Sequence, residues 1–192
     1  MYTSIIEFFA IVLFLASFWH ATRTHGLAFA QQWFIAGYLT LLIRETLNQL
    51  LFRVYVFAPS MLRIGTAPAL VLLLGAALTY IAYRFALRFL DETKPALVAG
   101  LVFVIASSLA LPIEATAAQS QWWLYTIPVL RIFGNVPLLA PMVWGGSAAI
   151  FYVVFWRVAQ SRLPARGRLY LLIVLAPVMA IAQLLLVVLL NA

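Results

Sequence analysis

The chain contains no cysteine. Disulfides, thiolate metal sites, iron–sulfur clusters and a cysteine nucleophile are therefore excluded. Charge is also scarce. Only 9% of the 192 residues are Asp, Glu, Lys or Arg, where a soluble domain carries about 25%. Acidic side chains are the rarest, five in all against twelve basic ones. The zincin, nucleophile-elbow, Walker and dinucleotide patterns are all lacking. The two histidines, His20 and His25, are clustered but have no cysteine to join them, so no metal site is expected. Axial ligation of a haem or chlorin is the alternative role for one of them. No cofactor is expected.

Apolar side chains are what the chain has in excess, 66% of residues with a mean hydropathy of +1.08. A compact soluble protein of this size has too little interior to hide them, so lipid must be the solvent. An apolar stretch of roughly 20 residues spans a bilayer. In lipid the backbone must satisfy its own hydrogen bonds, which leaves helices or closed barrels. The apolar runs here are continuous rather than alternating, and this excludes a barrel. The start, MYTSIIEFFAIVLF, lacks a basic leader region and carries Glu7, so it reads as a first span rather than a cleaved signal. Spans are predicted at 5–21, 28–50, 67–90, 96–118, 136–158 and 168–190. The fold class is an all-α integral membrane protein of six transmembrane helices, a single domain over 1–192. Two links, 51–66 and 119–135, are too short to span and too apolar to be free loops. They read as re-entrant or interfacial segments.

Arg23, Arg84, Arg88, Lys94, Arg157, Arg162, Arg166 and Arg168 collect on one side. The other side has Arg53, Arg63 and Arg131, all within the two links, with Arg44 deeper in a span. The basic side is expected to be cytoplasmic, in a bacterial inner membrane, with both termini on the opposite side. The net charge of +7 fits this asymmetry and attraction to anionic lipid. It does not read as a nucleic-acid surface, because the basic residues sit in short loops.

A parallel two-copy repeat is visible, with units at about 28–90 and 96–158. Glu45, Pro59, Gly65 and Pro68 recur as Glu114, Pro128, Gly134 and Pro137, at offsets of 14, 20 and 23 from each glutamate. Tyr55 and Tyr125 follow their glutamates by 10 and 11 residues, and Arg63 and Arg131 by 18 and 17. Gly65 and Gly134 suit a turn, and Pro68 and Pro137 suit the first turn of a following helix. Pro112, Pro141 and Pro177 are expected to kink their helices.

Glu45 and Glu114 are the leading chemical candidates. A carboxylate at membrane depth costs at least a few kcal/mol. It must face a bundle interior, pair with a cation or hold a proton. One reading is a pair of proton-donating or proton-relaying carboxyls in a shared cavity. The other is structural, with Glu45 paired to Arg53 or Arg63 and Glu114 to Arg131. Asn48 shares a helical face with Glu45 and either orients it or satisfies a backbone carbonyl. Tyr55, Trp122, Trp123 and Tyr125 form either an interfacial aromatic belt or the lining of an apolar ligand site. Their faces also stabilise a cation.

The stretch Glu114-ATAAQSQ-Trp122-Trp123-Leu-Tyr125-TIPVLRIF-Gly134-Asn135-Val136-Pro137, continuing to Pro141 and Trp144, resembles the membrane family of carotenoid biosynthesis proteins. That family includes the carotenoid 1,2-hydratases of the CruF type. The matching residues are Glu114, Tyr125, Gly134, Pro137, Leu138, Pro141 and Trp144, with a weaker first copy in Glu45, Tyr55, Gly65 and Pro68. The resemblance covers roughly 45–152. It departs where the family has glycines after the glutamate and a Phe-Gly-x-Tyr-x-Tyr stretch, and where Asn135 separates Gly134 from Val136. It implies hydration of the terminal double bond of an acyclic carotenoid or related isoprenoid. Glu45 and Glu114 would then be catalytic, with Tyr55, Trp122, Trp123, Tyr125, Asn48 and Asn135 around the substrate. The alternative is a non-catalytic pigment- or lipid-binding subunit, in a homo-oligomer or a larger membrane complex. A small transporter or proton channel ranks third, because the carboxyls lie at span ends rather than at midplane.

Overall fold

The computed structural model describes residues 3–126, 131–132, 136–137 and 139–191, and these are mostly helical. The elements are α1 (Thr3–His25), α2 (Leu27–Leu47), a π-helical turn (Asn48–Phe52), β1 (Tyr55–Phe57), β2 (Arg63–Ile64), β3 (Ala67–Pro68), α3 (Ala69–Ala86), α4 (Pro95–Ser120), β4 (Trp123–Tyr125), β5 (Arg131–Ile132), β6 (Val136–Pro137), α5 (Ala140–Ala159) and α6 (Ala165–Asn191). Five of the helices, α1, α3, α4, α5 and α6, are long and apolar enough to cross a membrane. The sixth, α2, has 21 residues, but Gln31, Gln32, Arg44 and Glu45 lower its apolarity. Its Gln32 is buried and donates to the Ala165 carbonyl at 2.8 Å, tying α2 to the start of α6.

Among lipid-solvated helices, association rests on close packing and interhelical hydrogen bonds rather than on escape from water. The sequence supplies both. Helix α4 packs along α5, α2 on α6 and α3, and α1 on α3. Helices α4 and α5 touch at Gly145, where an added Cβ would lie 2.4 Å from the Phe103 carbonyl oxygen. Trp33 of α2 anchors the core. It stacks on Tyr83 at 4.8 Å and meets Phe151 and Phe155 edge-on at 5.1 and 4.6 Å. Outward-facing apolar side chains such as Phe8, Phe9, Val174 and Leu189 are left for lipid.

The two links contain strands, which the sequence reading did not anticipate. β1 and β4 pair antiparallel, Tyr55 opposite Tyr125 and Phe57 opposite Trp123. The ladder is extended by Ala58 N–H to the Trp122 carbonyl at 2.8 Å and Thr126 N–H to the Val54 carbonyl at 3.0 Å. Each link then makes a small hairpin, β2 with β3 and β5 with β6. Gly65, at φ 62°, makes the tight turn of the first. The strands take up Pro68 and Pro137, so these prolines precede α3 and α5 instead of opening them. Because α5 begins at Ala140, Pro141 lies in its first turn and is not a mid-helix kink site, whereas Pro112 and Pro177 do lie inside α4 and α6.

Both glutamate-bearing helices end on a left-handed, non-glycine residue. Arg53 (φ 50°) follows the π-helical turn, and its N–H reaches the Asn48 carbonyl at 2.6 Å. Gln121 (φ 55°) caps α4, and its N–H reaches the Ala117 carbonyl. Such αL caps satisfy orphan carbonyls and turn the chain sharply. Here they send it from helix into the paired strands.

Candidate functional site: a buried carboxyl cavity

The β1–β4 pair brings the two links face to face, and the helix ends that precede them carry Glu45 and Glu114 inward. Only 1% of Glu45 and 2% of Glu114 is exposed. Both line one cavity of about 50 Å³, together with Arg44, Tyr55, Trp123, Tyr125, Trp144 and Ser147. A water molecule needs about 10–15 Å³ of such space, so the cavity has room for a few waters.

The two carboxyls are held differently. Glu45 is ion-paired with its neighbour Arg44, whose Nε donates to Glu45 Oε1 at 2.9 Å and whose Nη2 reaches the same oxygen. Arg44 Nη1 donates to Ser147 Oγ of α5 at 3.0 Å. Tyr55 Oη lies 2.8 and 2.9 Å from the two oxygens of Glu45. Glu114 instead accepts from neutral donors. Trp123 Nε1–H reaches Oε2 at 3.0 Å and Trp144 Nε1–H reaches Oε1 at 2.8 Å. Tyr125 Oη lies 3.5 and 3.4 Å from the two oxygens. The rings of Tyr55 and Tyr125 are in contact, their centroids 5.4 Å apart, with each hydroxyl turned to its own glutamate. Arg44 is the one cationic side chain among the described residues lining the cavity with the two carboxyls.

The difference traces to three sequence positions, the first of them nine residues after the glutamate, where Trp123 follows Glu114 and Val54 follows Glu45. Trp144 stands thirty residues after Glu114, and Gly75 thirty after Glu45. Gly75 lines the same cavity, and a Cβ there would lie 2.8 Å from Leu41 Cδ1 and 3.8 Å from the Trp144 ring. The residue before Glu45 is Arg44, and that before Glu114 is Ile113.

The other sequence candidates fall as follows. The side chain of Asn48 makes no hydrogen bond to the Glu45 carboxyl, although its backbone N–H bonds the Glu45 carbonyl. Its Oδ1 accepts from the Val54 N–H at 3.2 Å, so it holds the chain entering β1. Trp122 is buried beside the cavity wall rather than in it, and lines a separate groove with Ile6, Leu74 and Ile113. The predicted pairing of Glu45 with Arg53 or Arg63 is replaced by the pairing with Arg44. Arg53 Nε donates to the Gln49 carbonyl at 3.4 Å, and Arg63 Nη2 donates to the Phe57 and Ala58 carbonyls at 2.9 and 3.2 Å. Both arginines therefore bind the link backbone. Asn135 and the side chain of Arg131 lie outside the described residues. Glu7 accepts from the Leu62 N–H at 2.7 Å and stays out of the cavity. At the opposite end, His20 bonds Tyr80 at 2.8 Å and His25 bonds Arg84 at 3.0 Å, and no metal-binding cluster exists among the described residues.

Sequence reasoning passed over three cavity residues as chemical candidates: Arg44, Ser147 and Trp144. Arg44 was legible only as the neighbour of a glutamate, and adjacent helical residues ordinarily point apart. Trp144 belongs to the resemblance motif, but nothing in its spacing shows that its N–H turns to Glu114. Ser147 carries no signal.

Fold and site together define an α-helical protein with the features of an integral membrane protein and a buried two-carboxyl cavity between paired links. Comparison of the chain with protein-family models, with curated proteins and with solved structures finds no match.

Proposed function

We propose that the protein is a membrane enzyme that adds water to a terminal double bond of a carotenoid or related isoprenoid lipid. One observation carries the reading. Two buried carboxyls line one aromatic-walled cavity, each facing a tyrosine hydroxyl, with the two tyrosine rings in contact. Protonating an isolated alkene requires a positioned acid in a dry site. Glu114 is the acid in this proposal. Its proton goes to the terminal-side carbon, and the adjacent carbon becomes a tertiary cation. The Trp123 and Trp144 N–H groups stabilise the carboxylate left behind, and the tyrosine and tryptophan faces stabilise the cation. Water attacks the cation and gives its proton back to the carboxyl pair, so the net change is alkene plus water to tertiary alcohol. Glu45, held in place by Arg44, is the partner that receives this proton.

The same proposal includes the finer architecture: α2 as a sixth span, a parallel two-copy repeat, and a bacterial inner membrane with both termini outside the cytoplasm. The matching sequence of strand, hairpin and helix after Glu45 and after Glu114 supports the repeat. The carotenoid assignment rests on the motif residues of the second unit.

A specific observation favours a second reading. The cavity, at about 50 Å³, has room for waters but not for an isoprenoid end group, and Glu45 is tied to Arg44. A non-catalytic pigment- or lipid-binding subunit accounts for both. Expression in a host that makes an acyclic carotenoid separates the readings. A new hydroxylated end group supports the enzyme. Unaltered carotenoid co-purifying with folded protein supports the subunit.

A further inference from the structure

At the end of the bundle away from the carboxyls, a groove of about 410 Å³ runs between the C-terminal halves of α1 and α3. Its walls change character along its length. Leu13 and Ile81 make the deeper part apolar, while His20, Arg84 and Arg88 line the outer part. Arg84 lies in the last turn of α3 and Arg88 in the turn that follows the helix, and both line the groove. Arg84 is half-buried and Arg88 is exposed.

Neither arginine has a carboxylate partner. The one ion pair among the described residues is that of Arg44 with Glu45. The nearby acids are engaged elsewhere: Glu92 accepts from Tyr83 Oη, and Asp91 accepts from the Thr93 N–H at 3.0 Å. Arg84 Nη1 bonds His25 Nε2 at 3.0 Å, which positions the guanidinium without neutralising it, and Arg88 lies over the Phe85 ring at 5.5 Å. Two positioned guanidinium groups with no carboxylate in ion-pair contact, above an apolar trough, match one kind of occupant in charge and in polarity.

We propose that this groove binds the headgroup of an anionic glycerophospholipid, with its phosphate between Arg84 and Arg88 and its acyl chain descending past Ile81 and Leu13. Guanidinium forks suit phosphate oxygens. The groove lies at the basic end of the molecule, where anionic lipid is attracted. The site is independent of the carboxyl cavity and of any reaction there.

The full chain, stripped of lipid and placed in phosphatidylcholine nanodiscs doped with phosphatidylglycerol, supplies the test. Native mass spectrometry of the released protein reads the retained lipid. Wild type and an Arg162→Gln/Arg166→Gln control, which loses equal charge at the same end, are expected to retain phosphatidylglycerol. An Arg84→Gln/Arg88→Gln variant is expected to lose that preference by about tenfold or more, each basic contact being worth about 1 kcal/mol. Equal retention by all three proteins overturns the proposal, as does displacement of the lipid by inorganic phosphate alone. A photoreactive phosphatidylglycerol on wild type removes dependence on the variants. Label on residues 13–20 and 80–88 supports the site, and label confined elsewhere overturns it.

Discussion

Glu45 and Glu114 line the same cavity and meet different neighbours, and the difference predicts different mutational costs. Removing Arg44 leaves a buried carboxylate without its cation. Arg44→Met should cost about 3–5 kcal/mol of stability, and Arg44→Met combined with Glu45→Gln distinctly less, because the pair then leaves together. Unfolding in mixed micelles, read as a double-mutant cycle, checks this. Glu114 presents the opposite case, a carboxyl held by two indole N–H groups from Trp123 and Trp144. In Glu114→Gln the amide N–H₂ must face one of those donors, which should cost about 1–3 kcal/mol. The same exchange removes the proposed acid, and hydration should fall by about 10²–10⁴-fold. Product formation normalised to folded protein separates the two effects.

The elements around the cavity depend on turns that no hydrophobic pattern announces. Arg53 and Gln121 both adopt left-handed backbone, which costs a non-glycine residue roughly 1–2 kcal/mol. Gln121→Gly should therefore stabilise the protein by up to about 1 kcal/mol, visible as a raised melting midpoint. Arg53→Gly should gain less, because it loses the contact of Arg53 with the Gln49 carbonyl. The helices themselves were legible, since long apolar runs bounded by charge identify them, and the observed ends differ from the expected spans by only a few residues. The strands were not. β1 and β4 have three residues each, too few to show alternation, and they pair across some 70 residues of chain. The glutamates could be singled out because acidic residues are rare in this sequence. Their partners could not, because Trp144 and Ser147 come from α5, and Arg44 acts on the residue beside it by folding back a long side chain.

For the molecule as a whole, the charge asymmetry makes a topological prediction. The absence of cysteine makes it easy to check, because every introduced cysteine is unique. Leu62 in the first link and Leu163 between α5 and α6 are both exposed. In intact cells, Leu62→Cys should react with a membrane-impermeant maleimide. Leu163→Cys should react only after the membrane is opened. The reverse pattern would invert the orientation read from the arginines.

The most direct test of the central claim follows the atoms of water. Purified protein in liposomes loaded with an acyclic carotenoid is incubated in ¹⁸O-labelled heavy water, and the pigment is analysed by mass spectrometry. The account predicts a tertiary alcohol carrying one ¹⁸O and one carbon-bound deuterium, formed by wild type and lost in Glu114→Gln. Recovery of unlabelled, unchanged carotenoid from folded wild-type protein, or equal product from both proteins, would contradict it.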